Sequence, residues 1–430
     1  MKKSFQSSRV EINELHVDGY GTTSDPKLSV FGALAGEELT VMPFSKRKKK
    51  IFAKTVEVHR ASPHRVEPAC PAAEYCGGCS LQHFESSEQI KFKHQFLLDS
   101  LGETKANHYF EPLTGPVENY RSKGRLGAKF VDKKNRVLVG FREKMKPYIA
   151  DISDCTVLRD SVSSLIPALA DFIAELSIAR HVPQIEVAVG DSETALIFRH
   201  LEELSEADIN LFKLFGKKNN IHVYLQPGDL NSTKKLYPED GIELLTYALP
   251  EFELEYDFHP LDFTQVNLQI NQKMVSRAIE LLALEKSDIV FDGFCGIGNF
   301  SLALARICDK VIGVEGSENC VNRAQHNADK NGIKNCQFLM QDLFAESLVI
   351  PGLEEANKVL LDPPRSGAFE VCKKLASTKV ERVVYVSCNP VTLARDAVLL
   401  TEAGFTLDGA GVIDMFPHTT HVESIACFVK

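Results

Sequence analysis

From about residue 262 the chain repeats one pattern, an apolar run followed by a loop and a helical stretch: "DIVFD", "SLALARIC", "KVIGVE", "CVNRAQHNADKNG", "CQFLMQD", "KVLLDPP" and "RVVYVSC". Short apolar runs alternating with helical periods bury both faces only as parallel strands with helices above and below. The pattern predicts an α/β fold, a doubly wound parallel sheet over residues 256–430. Chemistry in such a sheet sits in the crevice beyond the carboxyl ends of the strands. The residues that end the apolar runs are therefore the candidates for function.

The first run ends in Asp292-Gly293-Phe294-Cys295-Gly296-Ile297-Gly298-Asn299-Phe300. Its glycines are spaced G-x-x-G-x-G, not the G-x-G-x-x-G of a dinucleotide site, and no phosphate-binding fingerprint is present. The second run ends on Glu315, placed to accept hydrogen bonds from ribose hydroxyls, and Asp342 after the third is placed to meet an adenine edge. A nucleoside without phosphate fits S-adenosylmethionine. The fourth run ends in Asp362-Pro363-Pro364-Arg365. Amino-group methyltransferases usually carry an aromatic after the two prolines; a cation there suits an anionic intermediate or an RNA phosphate.

The fifth run, Val383 to Val386, ends in Ser387-Cys388-Asn389-Pro390. Alone, an unpaired cysteine reads as core filler. Beside a sulfonium methyl it reads differently. C5 of a pyrimidine is a poor nucleophile until a thiolate adds at C6, and the C5 proton must afterwards be taken by a base. Cys388 is the candidate nucleophile, its thiol expected to be lowered by the site's charges. Glu423, in "DMFPHTTHVESIACF", is the candidate base. His418, His421 and Glu423 lack the H-E-x-x-H order, and Pro417 argues against a helix presenting both histidines to a metal.

Upstream the pattern changes. Residues 1–61 contain alternating runs ("RVEINELHVDGYG", "LTVMPF", "IFAKTVEV") separated by glycines, which predicts a small β-barrel with Lys46-Arg47-Lys48-Lys49-Lys50 at a hairpin tip. Residues 62–255 open on a Pro- and Cys-rich connector and mix hairpins with an amphipathic helix near 160–180, an α+β domain. The formal charge of -9 means that any RNA binding must come from a local basic surface. No apolar run approaches a membrane span, and the start carries no apolar core of a signal peptide, so a soluble cytoplasmic protein is expected. Eleven cysteines in that compartment are not a disulfide framework. Cys70, Cys76, Cys79 and Cys155 have a spacing that could hold zinc or an iron–sulfur cluster. Zinc more often uses two C-x2-C pairs; the 3+1 arrangement suggests a closed [4Fe-4S] cluster.

Together "DGFCGIGNFSLALA", "LDPPRSG", "VSCNPVTLARD", "FPHTTHVE" and "DFTQVN" resemble the RNA uracil-C5 methyltransferase family over essentially the whole chain, most closely its branch acting on 23S ribosomal RNA. The resemblance implies a Rossmann-like methyltransferase domain, an N-terminal OB-like TRAM barrel that binds RNA, and a [4Fe-4S] cluster on Cys70, Cys76, Cys79 and Cys155. It implies Cys388 as nucleophile and Glu423 as base. Gln265, Phe294, Asn299, Glu315, Asp342 and Asp362 would line the S-adenosylmethionine site, with Phe263, Gln265 and Arg365 toward the substrate. A monomer is expected. Gly293 departs from the family's apolar preference, which suggests a looser first turn. A tRNA T-loop enzyme, a dual-site rRNA enzyme and a catalytically idle RNA-binding assembly factor are the competing readings.

Overall fold

A computed structural model describes residues 6–240, 243–346 and 349–430. The basic pair that opens the chain, Lys2 and Lys3, lies outside the described residues.

The C-terminal pattern folds as a sheet of eight strands, in the order Cys336–Met340, Lys310–Glu315, Ile289–Gly293, Lys358–Leu361, Arg382–Ser387, Glu423–Val429, Thr406–Ile413 and His108–Tyr109. The first five are mutually parallel. Chain order runs outward in both directions from Ile289–Gly293, so a crevice opens at the switch point beside it. Helices Leu268–Leu282, Ser301–Ala305 and Glu318–Lys330 pack on one face. Phe369–Leu375, Pro390–Glu402 and Ser86–Leu101 cover the other.

The structure corrects the expected all-parallel sheet. Glu423–Val429 runs antiparallel to Arg382–Ser387, because the preceding strand returns through a loop, 414–422, and not through a helix. The 62–255 span also divides. Its helix Ser86–Leu101 and strand His108–Tyr109 join the outer edge of this sheet. The remainder builds a six-stranded sheet, ordered Lys234–Tyr237, His222–Gln226, Thr194–Arg199, Gln184–Val189, Lys123–Val131, Arg136–Gly140. The looser turn expected at Gly293 is absent. Gly293 is a buried strand residue paired with Val314 and Leu361, and a Cβ there would meet Leu361 Cδ2 at 2.8 Å and Phe291 Cε1 at 2.9 Å.

The N-terminal residues form a five-stranded sheet. Its edges are joined where Asn13 N–H donates to Thr22 O and Thr22 N–H to Glu14 O, both at 2.9 Å. Lys46–Lys50 are exposed at a hairpin tip, with Arg47 paired opposite Lys50. A bidentate pair, Arg65 on the buried Glu37 at 2.5 and 2.6 Å, ties this sheet to the connector.

One buried network locks the loop before helix Phe369–Leu375 to strand Arg382–Ser387 and helix Pro390–Glu402. Asp396 Oδ2 accepts from Ala368 N–H at 2.6 Å and from Tyr385 OH at 2.7 Å, while Arg395 holds Oδ1 at 2.6 Å. Gly367 enters this network with φ +78°, and a Cβ on it would meet Asp396 Oδ2 and Arg395 Nη2 at 2.6 Å. Gly367→Ala should therefore cost at least about 1–2 kcal/mol from the backbone alone, more if Asp396 is displaced. Urea unfolding measures it; an unchanged midpoint would show that the network is not needed.

Candidate active site

The antiparallel turnabout decides the site. Ser387 is paired with Ser424, so the next residue on one strand, Cys388, and the preceding one on the other, Glu423, are neighbours at the crevice. Ser424 Oγ donates to Ser387 O at 3.2 Å across the same rung. Asn389 caps the following helix by accepting from Val391 N–H, and its amide donates to Arg365 O at 3.0 Å. Thr392 Oγ1 reaches the same carbonyl at 3.2 Å, so the Arg365 loop is stitched to the turn holding Cys388. Arg365 Nη2 lies 3.0 Å from His421 Nδ1.

Burial and neighbouring charges set the proton affinities of this corner. Burial, then the carboxyls of Glu423 and Asp362, push the Cys388 thiol up to about 12 against the pull of Arg365. The expected lowering is thus reversed, because desolvation and two acids outweigh one exposed guanidinium. Burial also raises Asp362 to about 7 and Glu423 well above the ordinary carboxyl range. His421 falls to about 4 by burial and by Arg365, and stays neutral.

The other candidates divide. Gln265 reaches Asp362 Oδ2 at 3.5 Å. Its segment is held by Ser122, which donates to Val266 O at 2.9 Å, and by the half-buried Lys123, which donates to Pro260 O at 2.9 Å. Phe263, on the same segment, is 71% exposed, a free aromatic face. Glu315 accepts from Gly296 N–H and Ser317 N–H, both at 3.1 Å, which orients its carboxylate across the glycine turn. Phe294, at φ +65°, stands 5.4 Å from Phe344, two residues beyond the exposed Asp342. Phe344 was not among the candidates; an aromatic next to the expected adenine edge was the signal available. Asn299 pairs reciprocally with Asn271 at 2.9 Å and accepts from Tyr247 OH at 2.9 Å. Asp292, also missed, is fully buried, with one oxygen on Ser301 Oγ and Oδ1 lacking any partner among the described residues. Burial raises it to about 7. An orphaned buried acceptor beside the glycine turn fits a donor carried by a bound cofactor.

Cys70, Cys76, Cys79 and Cys155 lie elsewhere, buried together in the core of the six-stranded body. Burial raises Cys76 to about 11 and Cys79 to about 12, and each of these two feels the other cysteines. Among the described residues, no group of three or more His, Cys, Asp or Glu is close enough to hold a single metal ion.

The profile of the tRNA (uracil-5-)-methyltransferase family matches residues 85–350 and 352–430. The chain belongs to that family. A relative from Legionella pneumophila (strain Lens), named 23S rRNA (uracil(1939)-C(5))-methyltransferase RlmD, is 46% identical over 100% of this chain and 98% of its own. Its namesake from Hahella chejuensis is 43% identical over 99% of this chain and 98% of its own. The solved tRNA (uracil-54, C5)-methyltransferase of Pyrococcus abyssi, in complex with S-adenosyl-L-homocysteine, is 27% identical with a TM-score of 0.76, covering 98% of this chain and 100% of that one. A Rossmann-like methyltransferase fold is therefore established for the C-terminal sheet.

Two measurements test the electrostatics of this family member's site. With a thiol near 12, alkylation of Cys388 in the cofactor-free protein should rise about tenfold per pH unit between 7 and 9; peptide mass spectrometry reads it, and a plateau in that range contradicts the raised thiol. Asp362, raised to about 7, is protonated below that pH and then offers a cation nothing. S-adenosylmethionine should therefore bind more weakly as pH falls from 8 to 6, while S-adenosylhomocysteine, which lacks the sulfonium charge, shows the smaller change.

Proposed function

We propose that this chain transfers a methyl group from S-adenosyl-L-methionine to C5 of a uridine in 23S rRNA, at the position that its Legionella and Hahella relatives are named for, 1939. The observation that carries the reading is the strand register that makes Cys388 and Glu423 neighbours at the crevice of a methyltransferase sheet. Support for an rRNA target over the tRNA of the Pyrococcus enzyme comes from identity, 46% against 27%.

S-adenosylmethionine supplies an electrophilic methyl on a positively charged sulfur. Glu315, Phe294, Asp342 and Asp292 would hold its nucleoside and amino acid, and Gln265 and Asp362 its charged end. Burial holds the Cys388 thiol and the Asp362 and Glu423 carboxyls toward their protonated forms, and a positive charge beside them would favour the ionised forms, the released protons passing to solvent. Cys388 then bonds to C6 of the uracil, and the electron pair displaced from the C5=C6 bond is held as an enolate opposite Arg365. C5 takes the methyl, leaving a neutral thioether. With the cation gone, the proton affinity of Glu423 rises when the C5 proton must be removed. Its departure re-forms the C5=C6 bond and expels Cys388. Phe263, exposed on its loop, offers a stacking face to a base withdrawn from its stack.

The N-terminal sheet would act as the TRAM-like RNA-binding module, with Lys46–Lys50 as its arm. Four buried thiols without a carboxylate or imidazole among them make a soft donor set, as a [4Fe-4S] cluster needs, and a cluster spreads its ligands over separate irons. Residues 1–61, 62–255 and 256–430 are the proposed divisions of labour, with 86–109 lent to the last.

Cys388→Ala should abolish turnover and leave S-adenosylmethionine affinity within a few-fold. Glu423→Gln should still add to the base and transfer methyl but stall at proton loss, so a protein–RNA band persists on denaturing gels and vanishes in the double variant. Turnover of Cys388→Ala within tenfold of wild type sinks the mechanism.

Neutralising Lys46–Lys50 should lower RNA affinity and flatten its salt dependence by roughly one unit of slope for each phosphate left unneutralised, with turnover at saturating RNA little changed. Anaerobically purified protein should be brown with about four irons per chain. A colourless, zinc-loaded and fully active protein would overturn the cluster and leave the methyltransferase standing.

A further inference from the structure

The loop that delivers Glu423, residues 414–422, is gripped from outside by parts of the chain remote from the reacting atoms. His418 O accepts from Ser80 N–H at 2.9 Å and Leu81 N–H at 3.0 Å, directly after Cys79. Gln89 is 2% exposed and bridges the two segments. Its amide donates to Leu81 O at 3.0 Å and Phe84 O at 2.7 Å, and its oxygen accepts from His418 N–H at 2.9 Å. One turn further along the same helix, the fully buried Lys93 donates to Asp414 Oδ1 at 2.6 Å and Phe416 O at 2.9 Å. Tyr120 OH holds Pro417 O at 3.0 Å. Gly19, from the N-terminal sheet, packs where a Cβ would meet both Ser80 Cβ at 3.0 Å and Thr420 Cγ2 at 3.1 Å.

His418 itself sits at φ +63°, a conformation that a non-glycine residue keeps only when its surroundings impose it. The inner side of the same loop reaches the chemistry. Thr419 Oγ1 donates to Phe416 O at 2.9 Å and accepts from His421 N–H at 3.3 Å; the His421 ring meets Arg365, and Glu423 follows.

We propose that Gln89 and Lys93 are positioning residues for proton removal, and that Gln89 and Ser80 transmit the geometry of the Cys70–Cys79 loop to Glu423 and His421. The inference rests on the reaction proposed above. Adding the thiol and transferring the methyl depend on Cys388, which the strand Arg382–Ser387 carries independently of this loop. Removing the C5 proton needs the carboxylate oxygen within hydrogen-bond reach of it, so a small shift of the loop is felt at that step first.

The test is the partition between methyl transfer and release, on uridine tritiated at C5, in Gln89→Met, Lys93→Met and Tyr120→Phe, the last deleting one hydroxyl. Gln89→Met and Lys93→Met should slow tritium release about tenfold while the trapped protein–RNA adduct rises and S-adenosylmethionine affinity stays within twofold. Tyr120→Phe should shift in the same direction by a smaller factor. Hydrogen exchange at Ser80, Leu81 and His418 should speed up together in each. A merely structural role would lower the melting temperature and leave the partition between adduct and release as in wild type; that outcome in any folded variant overturns the proposal. If wild-type protein forms no adduct and releases no tritium, the proposed function fails instead.

Discussion

Everything that the site can do depends on one pairing, Arg382–Ser387 against Glu423–Val429. A parallel continuation would have placed the last strand's opening residue at the opposite edge of the sheet, away from the crevice. The reversal brings an acid from near the end of the chain beside a thiol that follows the fifth parallel strand. Around this rung the buried Asp396 network and the Asn389–Arg365 bond make the thiol, the guanidinium and the helix following them one rigid unit. Two groups proposed to serve successive steps at one base must be held in fixed mutual geometry, and two adjacent strands do this with less entropy to lose than two loops would.

The electrostatic state of the empty crevice follows from the same burial. Asp292, Asp362 and Glu423 are all raised, and desolvation is the first cause in each case. Burial thus shifts these acids and the Cys388 thiol toward their protonated forms. In the proposed reaction a positively charged donor would favour ionisation of Cys388, and loss of that charge on transfer would leave Glu423 more basic. A site built around a pre-formed thiolate would expose a reactive sulfur between turnovers.

Those features that depend on where a strand ends could be read from the sequence. Glu315, Asp362 and Cys388 close apolar runs, and the alternation alone sends them to one edge. The direction of the last strand could not be read so, because "FPHTTHVE" has neither a helical period nor a tight-turn signal to announce a return. The thiol's raised affinity for its proton was invisible for a different reason: it comes from tertiary burial beside acids distant in sequence, which no local motif encodes. Asn299 sits in the glycine motif, but its partners could not be read there: the hairpin Leu245–Leu249 and Leu254–Phe258 supplies Tyr247, and Asn271 completes a reciprocal amide pair. Helix Ser86–Leu101 migrated to the C-terminal sheet because its buried stripe is Gln89, Lys93, Leu97 and Leu101, two apolar residues for the sheet and two polar ones for a loop.

That stripe also argues about why the central body exists at all. A buried lysine and a buried glutamine each cost desolvation that an apolar pair would avoid, and such groups survive where every donor and acceptor is matched to a specific partner. Here the partners are the carboxylate and carbonyls of one irregular loop and the carbonyls after Cys79. Apolar substitutes could fill the same volume but would leave the 414–422 backbone free to choose among conformers, including those that relax His418 from its left-handed φ. The polar grip selects one conformer, and that conformer ends in Glu423. On this view the cysteine-bearing loop is less a remote appendage than the outer wall against which Glu423 is set, coupled to it through the backbone bonds to His418 O and through the side chain of Gln89.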